Sequence, residues 1–237
     1  MRLGGSEAVR RLADFPVFSS GAPALDRLLG GGFRGGKVYV VYGRSNSGKS
    51  QLAMQAALCA SRDGTNSLYV DTEGAFRPER LESVAAARGW TGPHLLERVV
   101  YLRCTAASEQ SEVVRRMSKR PETSSCRLVL VDTFTRNFAL EIPGERNMPD
   151  RQGAIDAYLS EVARDAAING RAYVLTNRVT FDRTGADVGI GGRTVAQLAS
   201  QSIHLERNGA VVKATVVGGG GECGLRLDKA GVTDSGQ

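Results

Sequence analysis

The residues with the clearest chemistry form one short segment, from Gly43 to Ser50, with the sequence GRSNSGKS. It lies between an apolar run at 38–41 and a run of helical character that starts at Gln51. Glycines let the backbone wrap a phosphate, so that N–H groups and the helix N-terminus face the anion. In the pattern G-x-x-x-x-G-K-S, Lys49 reaches the β- and γ-phosphates and the Ser50 hydroxyl binds Mg²⁺. The segment therefore predicts a site for a nucleoside triphosphate and Mg²⁺.

Alternating strands and helices are expected to position this loop. A chance match to the loop pattern is the alternative, because the chain has 29 glycines, but chance would not supply a strand before it and a helix after it. Apolar runs predict strands at 37–41, 68–71, 99–102, 127–132 and 172–176, separated by helical patterns. Shorter strands at 203–206, 211–217 and 225–228 predict an antiparallel edge. The predicted fold class is α/β, with a mainly parallel central sheet flanked by helices.

Polar residues stand where several of these strands end, and ligands of parallel sheets bind beyond the carboxyl ends of strands. Asp132 follows four apolar residues and fits a carboxylate that supports Mg²⁺ beside the phosphates. Glu73 is the best candidate for orienting an attacking water. Asn177 is placed to sense the γ-phosphate by hydrogen bonding. The alternatives are structural: Glu73 as a surface acid that caps a turn, and Asn177 as a cap of the next turn.

The bulk composition is that of one globular domain of 237 residues, with 41% hydrophobic and 24% charged residues. A net charge of +6 suits a nucleic-acid partner, although a solvated basic surface is an equal alternative on charge alone. No apolar run is long enough for a bilayer and no secretion signal is visible, so we expect a cytoplasmic, nucleoid-associated protein without membrane contact. The four cysteines lack C-x-x-C spacing and are expected to be small core residues. They are Cys59, Cys104, Cys126 and Cys223.

The segment at 71–81, DTEGAFRPERL, closely resembles the D-T-E-G-x-F-R-P-E-R-L block of archaeal and eukaryotic strand-exchange recombinases. The resemblance covers nearly all of residues 19–232. It includes Ser20-Gly21, Leu28-Leu29-Gly30-Gly31-Gly32, Gly48-Lys49-Ser50-Gln51, Val131-Asp132, Arg151-Gln152, Thr176-Asn177 and Gly191-Gly192. The chain thus resembles a RecA-type P-loop ATPase core of the RadA group, and its length makes it most similar to the short archaeal paralogue RadB. We expect a leader at 1–18, the core at 19–232 and a tail at 233–237.

The resemblance implies the roles of individual residues. Glu73 would be the catalytic carboxylate, acting with Lys49, and Arg80 would lie near the adenine of ATP. The metal ligands would be Ser50 and Asp132. The loop pattern, the strand ends and the resemblance together give the expected nucleotide contacts, which are Gly43, Arg44, Ser45, Asn46, Ser47, Gly48, Lys49, Ser50, Gln51, Arg80, Asn177 and Arg178. Segments at about 136–151 and 180–193 would be irregular DNA-facing loops, with contacts from Arg136, Arg146, Arg151, Arg183 and Arg193.

Departures from the recombinase pattern are equally informative. We expect no N-terminal helical DNA-binding domain, and the nearest match to the F-x-x-A polymerisation hook is the sequence FPVF at 15–18. Ala139 and Glu145 stand where the recombinases carry arginines. Arg178 stands where they carry glutamine; an arginine there could pair with phosphate or with DNA, but a guanidinium cannot accept a hydrogen bond. We therefore expect altered coupling between ATP and DNA.

The leading hypothesis is an ATP-binding, weakly hydrolysing DNA repair and homologous recombination protein that binds single-stranded DNA and assists a recombinase such as RadA, or other repair proteins. Self-association into a homo-oligomer is compatible with it. One alternative is a non-catalytic, nucleotide-bound mediator that acts through protein contacts. Another is a RecA-type regulatory ATPase outside recombination, which the FRPERL sequence at 76–81 disfavours.

Overall fold

The structure is a computed structural model that describes residues 15–92, 94–181 and 184–235. Within these ranges one large sheet has nine strands in the order β13-β12-β11-β10-β3-β7-β6-β4-β5. The six strands from β10 to β5 are parallel, and β11 to β13 are antiparallel to their neighbours. Their bounds are β3 Val38–Tyr42, β4 Ser67–Asp71, β5 Val99–Arg103, β6 Leu128–Asp132, β7 Ala172–Asn177, β10 Gln201–Asn208, β11 Val211–Val216, β12 Glu222–Asp228 and β13 Gly231–Asp234.

Two small antiparallel pairs lie beside the large sheet. They are β1 (Val17–Phe18) with β2 (Phe33–Arg34), and β8 (Val179–Phe181) with β9 (Asp187–Gly189). The helices are α1 Pro23–Leu28, α2 Lys49–Arg62, α3 Pro78–Ala87, α4 Ala107–Arg116, α5 Pro121–Ser124, α6 Arg136–Glu141, α7 Met148–Asn169 and α8 Gly192–Leu198. A 3₁₀ turn at Met117–Lys119 follows α4. None of the helices in the described part of the chain is long and apolar enough to cross a membrane.

Hydrophobic clusters cover both faces of the large sheet. In β3, Tyr39 and Val41 belong to the cluster that contains α2, whereas Val38 and Val40 belong to the cluster that contains α7. Side chains alternate between the faces of a strand, so a strand that is apolar at every position must be buried on both sides. Each fully buried Leu or Val stabilises the fold by roughly 1.5–3 kcal/mol. The expected mainly parallel sheet with helices on both sides is confirmed.

The strand order brings the polar strand ends together. β3, β7, β6 and β4 are consecutive neighbours, and the residues at their carboxyl ends are Tyr42, Asn177, Asp132 and Asp71. Asp71 lies beside Asp132, and Tyr42 lies beside Asn177. Residues far apart in the sequence therefore share one edge of the sheet, directly beside the loop that follows β3.

Two segments differ from the irregular loops that the resemblance implied. Part of the first segment forms helix α6, in which Asn137 and Phe138 are buried and the Phe138 ring packs against Tyr158 with centroids 5.6 Å apart. The second segment forms the β8–β9 hairpin, with Thr180 opposite Val188. Of the FPVF sequence at 15–18, Phe18 is buried in the protein's own core. Most of the predicted leader lies outside the described residues.

Candidate nucleotide-binding site

The loop from Gly43 to Ser50 has the close backbone approach that its glycines predict. A Cβ atom at Gly43 would lie 2.3 Å from the Leu205 carbonyl oxygen, so only glycine fits. Gly48 has φ of 101° and precedes the first residue of α2. The loop therefore joins β3 to the N-terminus of α2, where backbone N–H groups are free to bind an anion.

Lys49 folds over this loop. Its ammonium donates to the carbonyl oxygens of Gly43 and Arg44, each at 2.8 Å. Burial lowers the pKa of Lys49, whereas the carboxylates of Asp132 and Glu73 raise it. The positive charge of Arg178 also lowers it. The Lys49 ammonium is therefore held at the loop, and the charges of Asp132, Glu73 and Arg178 act on its pKa.

Asp132 is 1% exposed at the end of β6. Its carboxylate accepts a hydrogen bond of 2.8 Å from the Tyr69 hydroxyl and another from the Thr176 hydroxyl. Burial raises the pKa of Tyr69 well above its usual value, and Asp132 acts in the same direction, so this hydroxyl remains a donor. Asp132 and the Ser50 hydroxyl supply hard oxygen donors, and Mg²⁺ prefers such donors while it keeps several waters. The donor chemistry therefore fits Mg²⁺.

Glu73 is held by a rigid turn after β4. The Asp71 carboxylate accepts hydrogen bonds from the N–H groups of Glu73 at 2.9 Å and Gly74 at 2.7 Å, and from two further N–H groups, of Ala75 and Phe76. Burial raises the pKa of Asp71, but these four N–H groups outweigh it and leave the pKa below its usual value. The ionised Asp71 thus fixes the backbone from which Glu73 projects.

Arg178 pairs with Glu73, which sequence analysis did not predict. Nη2 and Nε of Arg178 lie 2.7 and 3.2 Å from the same Glu73 oxygen, Oε1. The side chains are 58% and 27% exposed. The neighbouring Asn177 is fully buried, accepts from the Thr135 hydroxyl at 3.0 Å and donates to the Ile190 carbonyl oxygen at 2.5 Å. Asn177 therefore anchors the hairpin base, which fits the structural alternative for this residue.

A cavity of about 630 Å³ lies beside the loop. Lys49, Ser50 and Gln51 line it, and so do Arg80 and the turn between β12 and β13. Arg80 donates from Nε to Gln51 Oε1 at 2.6 Å, and from Nη2 to the Asp228 carbonyl oxygen at 2.6 Å. Arg80 therefore lies next to the loop, and its contact with the adenine stays a prediction. Glu73, Asp132 and Arg178 are not among the described residues that line this cavity.

The β8–β9 hairpin contacts the loop through Arg44. The Arg44 Nε lies 2.9 Å from Asp187 Oδ2, and its guanidinium lies 5.4 Å from the centroid of Phe181, whose side chain is 61% exposed. Arg44 holds the pKa of Asp187 below its usual value. Asp187 also lies 3.7 Å from Nε2 of His204, which stacks on Tyr42. The loop and the hairpin are therefore in direct contact.

The described arginines that were expected to meet DNA differ in their contacts. Arg136 donates to the Thr72 carbonyl oxygen at 2.6 Å, and Arg151 donates to the Ile142 carbonyl oxygen at 3.0 Å. Arg146 is exposed. Arg183 and the side chain of Arg193 lie outside the described part of the chain. No cluster of three or more His, Cys, Asp or Glu that could hold a metal occurs among the residues that the structure describes.

Sequence reasoning missed several residues around the site. Tyr69, a partner of Asp132, stands in an apolar strand and gave no signal, and Thr176 was named only for the resemblance and not as a partner of Asp132. The turn residues Asp228 and Lys229 line the cavity although they follow the loop by about 180 positions. Phe181 could have been found from the sequence, because an aromatic residue between polar neighbours in a predicted loop is not a typical core residue and is a candidate for an exposed contact.

A strand that runs into a phosphate-binding loop, with acids at neighbouring strand ends, defines a protein of the phosphate-loop nucleotide-binding class. The Rad51 family profile matches residues 13–216, and the chain belongs to that family. It is 30% identical over 213 residues to the DNA repair and recombination protein RadA of Metallosphaera sedula, covering 85% of this chain and 66% of that protein. RadA of Ignicoccus hospitalis is 30% identical over 172 residues, covering 68% of this chain and 53% of that protein. The chain thus spans between half and two thirds of these relatives, and the predicted closeness to RadB stays a prediction.

Proposed function

We propose that the protein binds ATP with Mg²⁺, hydrolyses it slowly, and binds single-stranded DNA as an accessory protein of DNA repair and homologous recombination. The observation that carries this proposal is the loop that joins β3 to α2 beside a cavity of about 630 Å³, at the edge of the sheet where β6 and β4 end side by side in Asp132 and Asp71. The names of the two RadA relatives support the recombination part. The core bounds of 19–232 and a cytoplasmic, nucleoid-associated location belong to the same proposal.

Each residue has a defined role in the proposed site. The loop N–H groups and Lys49 bind the phosphates, and Arg80 and Gln51 line the space for the base. Ser50 and Asp132 would hold Mg²⁺, which supplies charge stabilisation for the transferring phosphoryl group. Glu73 orients a water and accepts its proton as the water oxygen bonds to the γ-phosphorus and the bond to ADP breaks.

An assay of ATP hydrolysis tests whether Glu73 is the catalytic carboxylate. ATP hydrolysis is measured with and without single-stranded DNA for the wild type and for Glu73→Gln, and Mg·ATP binding is measured in parallel by calorimetry. We expect Glu73→Gln to bind Mg·ATP normally and to lose the hydrolysis. Equal turnover in the two proteins would refute the role of Glu73.

Single-stranded DNA is the proposed partner of the β8–β9 hairpin and of the exposed arginines. Phe181 is the exposed aromatic ring that would stack on a base, and Arg146 is an exposed cation for phosphates. Because phosphate contacts release counterions, the affinity should fall steeply as salt rises. An affinity for an oligonucleotide that does not change with salt would contradict the DNA part of the proposal.

A second candidate function is a nucleotide-bound scaffold that docks on a recombinase without turnover. The Arg178–Glu73 ion pair favours it, because it engages the proposed general base. This candidate predicts bound nucleotide but no hydrolysis that depends on Glu73. The mass of the protein in solution, measured with and without Mg·ATP and DNA, shows which assembly it forms. Growth into filaments would support a recombinase-like action. A stable monomer or dimer would support an accessory role.

A further inference from the structure

The Arg178–Glu73 pair joins two rigid backbones. Glu73 projects from the turn whose N–H groups bind Asp71, and the carbonyl oxygen of Arg178 accepts a hydrogen bond of 3.2 Å from the N–H of Ile190 at the hairpin base. The guanidinium donates twice to one carboxylate oxygen, at 2.7 and 3.2 Å. Fixed backbones on both sides make this contact a defined feature of the fold.

The hydrogen bonds from Arg178 occupy the carboxylate oxygen that Glu73 would need for its proposed function. A general base must accept a hydrogen bond from water and then a proton. Oε1 of Glu73 already accepts two N–H groups from the guanidinium, so it has less room to accept a hydrogen bond from a water. Arg178 follows the last residue of β7, and β7 is the neighbour of β3, the strand that leads into the loop of Lys49.

We propose that Arg178 is a positioning residue that acts through Glu73: its guanidinium holds the carboxylate and thereby slows the hydrolysis of ATP. The inference rests on the proposed function, because it requires Glu73 to act on a water. Exposed arginine–carboxylate pairs contribute little free energy, so releasing the carboxylate should raise kcat by about two- to fivefold. Arg178 is therefore expected to set the rate and not the affinity.

The test compares Arg178→Gln with the wild type at saturating Mg·ATP. We expect a higher kcat for Arg178→Gln with an unchanged affinity for a non-hydrolysable ATP analogue, and an intermediate kcat for Arg178→Lys, which keeps the charge without the fork of N–H donors. Because salt screens an exposed pair, the ratio of the two kcat values should fall towards one between about 0.05 and 0.5 M salt. A purely structural role would not produce this dependence on salt.

The matched control is Arg115→Gln. Arg115 pairs with Glu161 at 2.8 Å, with side chains 58% and 31% exposed, on the surface formed by α4 and α7. This variant should leave kcat unchanged, and the thermal midpoints of all variants should be compared to confirm folding. An unchanged or lower kcat in Arg178→Gln would overturn the proposal, as would weaker analogue binding or a rise that persists in the Glu73→Gln background. If Glu73→Gln itself hydrolyses normally, the proposed function fails as well.

Discussion

Replacing Gln55 by leucine tests how the segments around Ser20 and Val232 are attached to α2, the helix that follows the phosphate-binding loop. Gln55 lies in α2 with 0% of its surface exposed. Its Nε2 donates to the carbonyl oxygens of Ser20 at 2.9 Å and Val232 at 2.8 Å, and its Oε1 accepts from the Val232 N–H at 2.7 Å. Leucine is similar in size but removes all three hydrogen bonds.

The expected loss of stability follows from the buried groups that lose their hydrogen-bond partner. The Val232 carbonyl oxygen keeps a hydrogen bond of 2.7 Å from Arg88, whereas the Ser20 carbonyl oxygen and the Val232 N–H lose the bonds that Gln55 supplies. Leaving a buried donor or acceptor unsatisfied costs about 1–3 kcal/mol. Gln55→Leu should therefore reduce the free energy of unfolding by about 2–6 kcal/mol, a large part of the roughly 5–15 kcal/mol of a typical domain.

The assay is urea unfolding with matched variants. Gln197→Leu is the control, because Gln197 is exposed on α8 and should change stability by less than about 0.5 kcal/mol. Gln55→Leu should also weaken nucleotide binding, since β13 follows the turn whose Asp228 carbonyl oxygen holds Arg80. If Gln55→Leu unfolds at the same urea concentration as Gln197→Leu, the reasoning about the three hydrogen bonds is refuted.

Three further substitutions test other parts of the structure. Asp165→Asn removes the carboxylate that lies 2.7 Å from Arg171, which is 1% exposed. The free energy of unfolding in urea should fall by about 3–5 kcal/mol, because a buried cation is left without its partner. A decrease of less than about 1 kcal/mol would contradict this. The folded pKa of Asp71 is below its unfolded value, so its stabilising effect is present above that unfolded value and is lost as the pH falls through the folded one. Asp71→Asn should therefore lower stability at pH 7 and flatten the loss of stability below about pH 4, and equal acid slopes in urea unfolding would count against it. Phe181→Ala should weaken single-stranded DNA binding by about 1–3 kcal/mol in an anisotropy titration, because the variant loses a stacking contact with a base. The dependence of the affinity on salt should not change, because no phosphate contact is lost. An unchanged affinity would show that Phe181 is not part of the interface.

The strands of the parallel sheet were predictable because each is a short apolar run with a polar end. The prediction for the strand at 127–132 differs by one residue from the observed Leu128–Asp132. The loop at 43–50 was predictable because its glycine spacing has a mechanism. The acids at the strand ends followed from the general position of ligands at parallel sheets.

The contacts between distant residues could not be predicted from one sequence. Arg178 and Glu73 are 105 positions apart, and their side chains meet because β7 and β4, the strands that they follow, lie on either side of β6 in one sheet. Helix α6 was missed because the likeness to a DNA-facing loop outweighed its local pattern, in which Phe138 is buried against α7. The strands of the β8–β9 hairpin have only three residues each, which is too short for alternation to be visible.

The most direct measurement of the central claim is the affinity for Mg·ATP, determined by calorimetry, of the wild type and of Lys49→Ala. Lys49 is the first residue of α2, and its ammonium contacts the loop carbonyl oxygens of Gly43 and Arg44 at 2.8 Å. The account predicts measurable binding to the wild type and a loss of about tenfold or more in the variant, which corresponds to about 1.4 kcal/mol. Equal affinity in both proteins would contradict a triphosphate site at this loop.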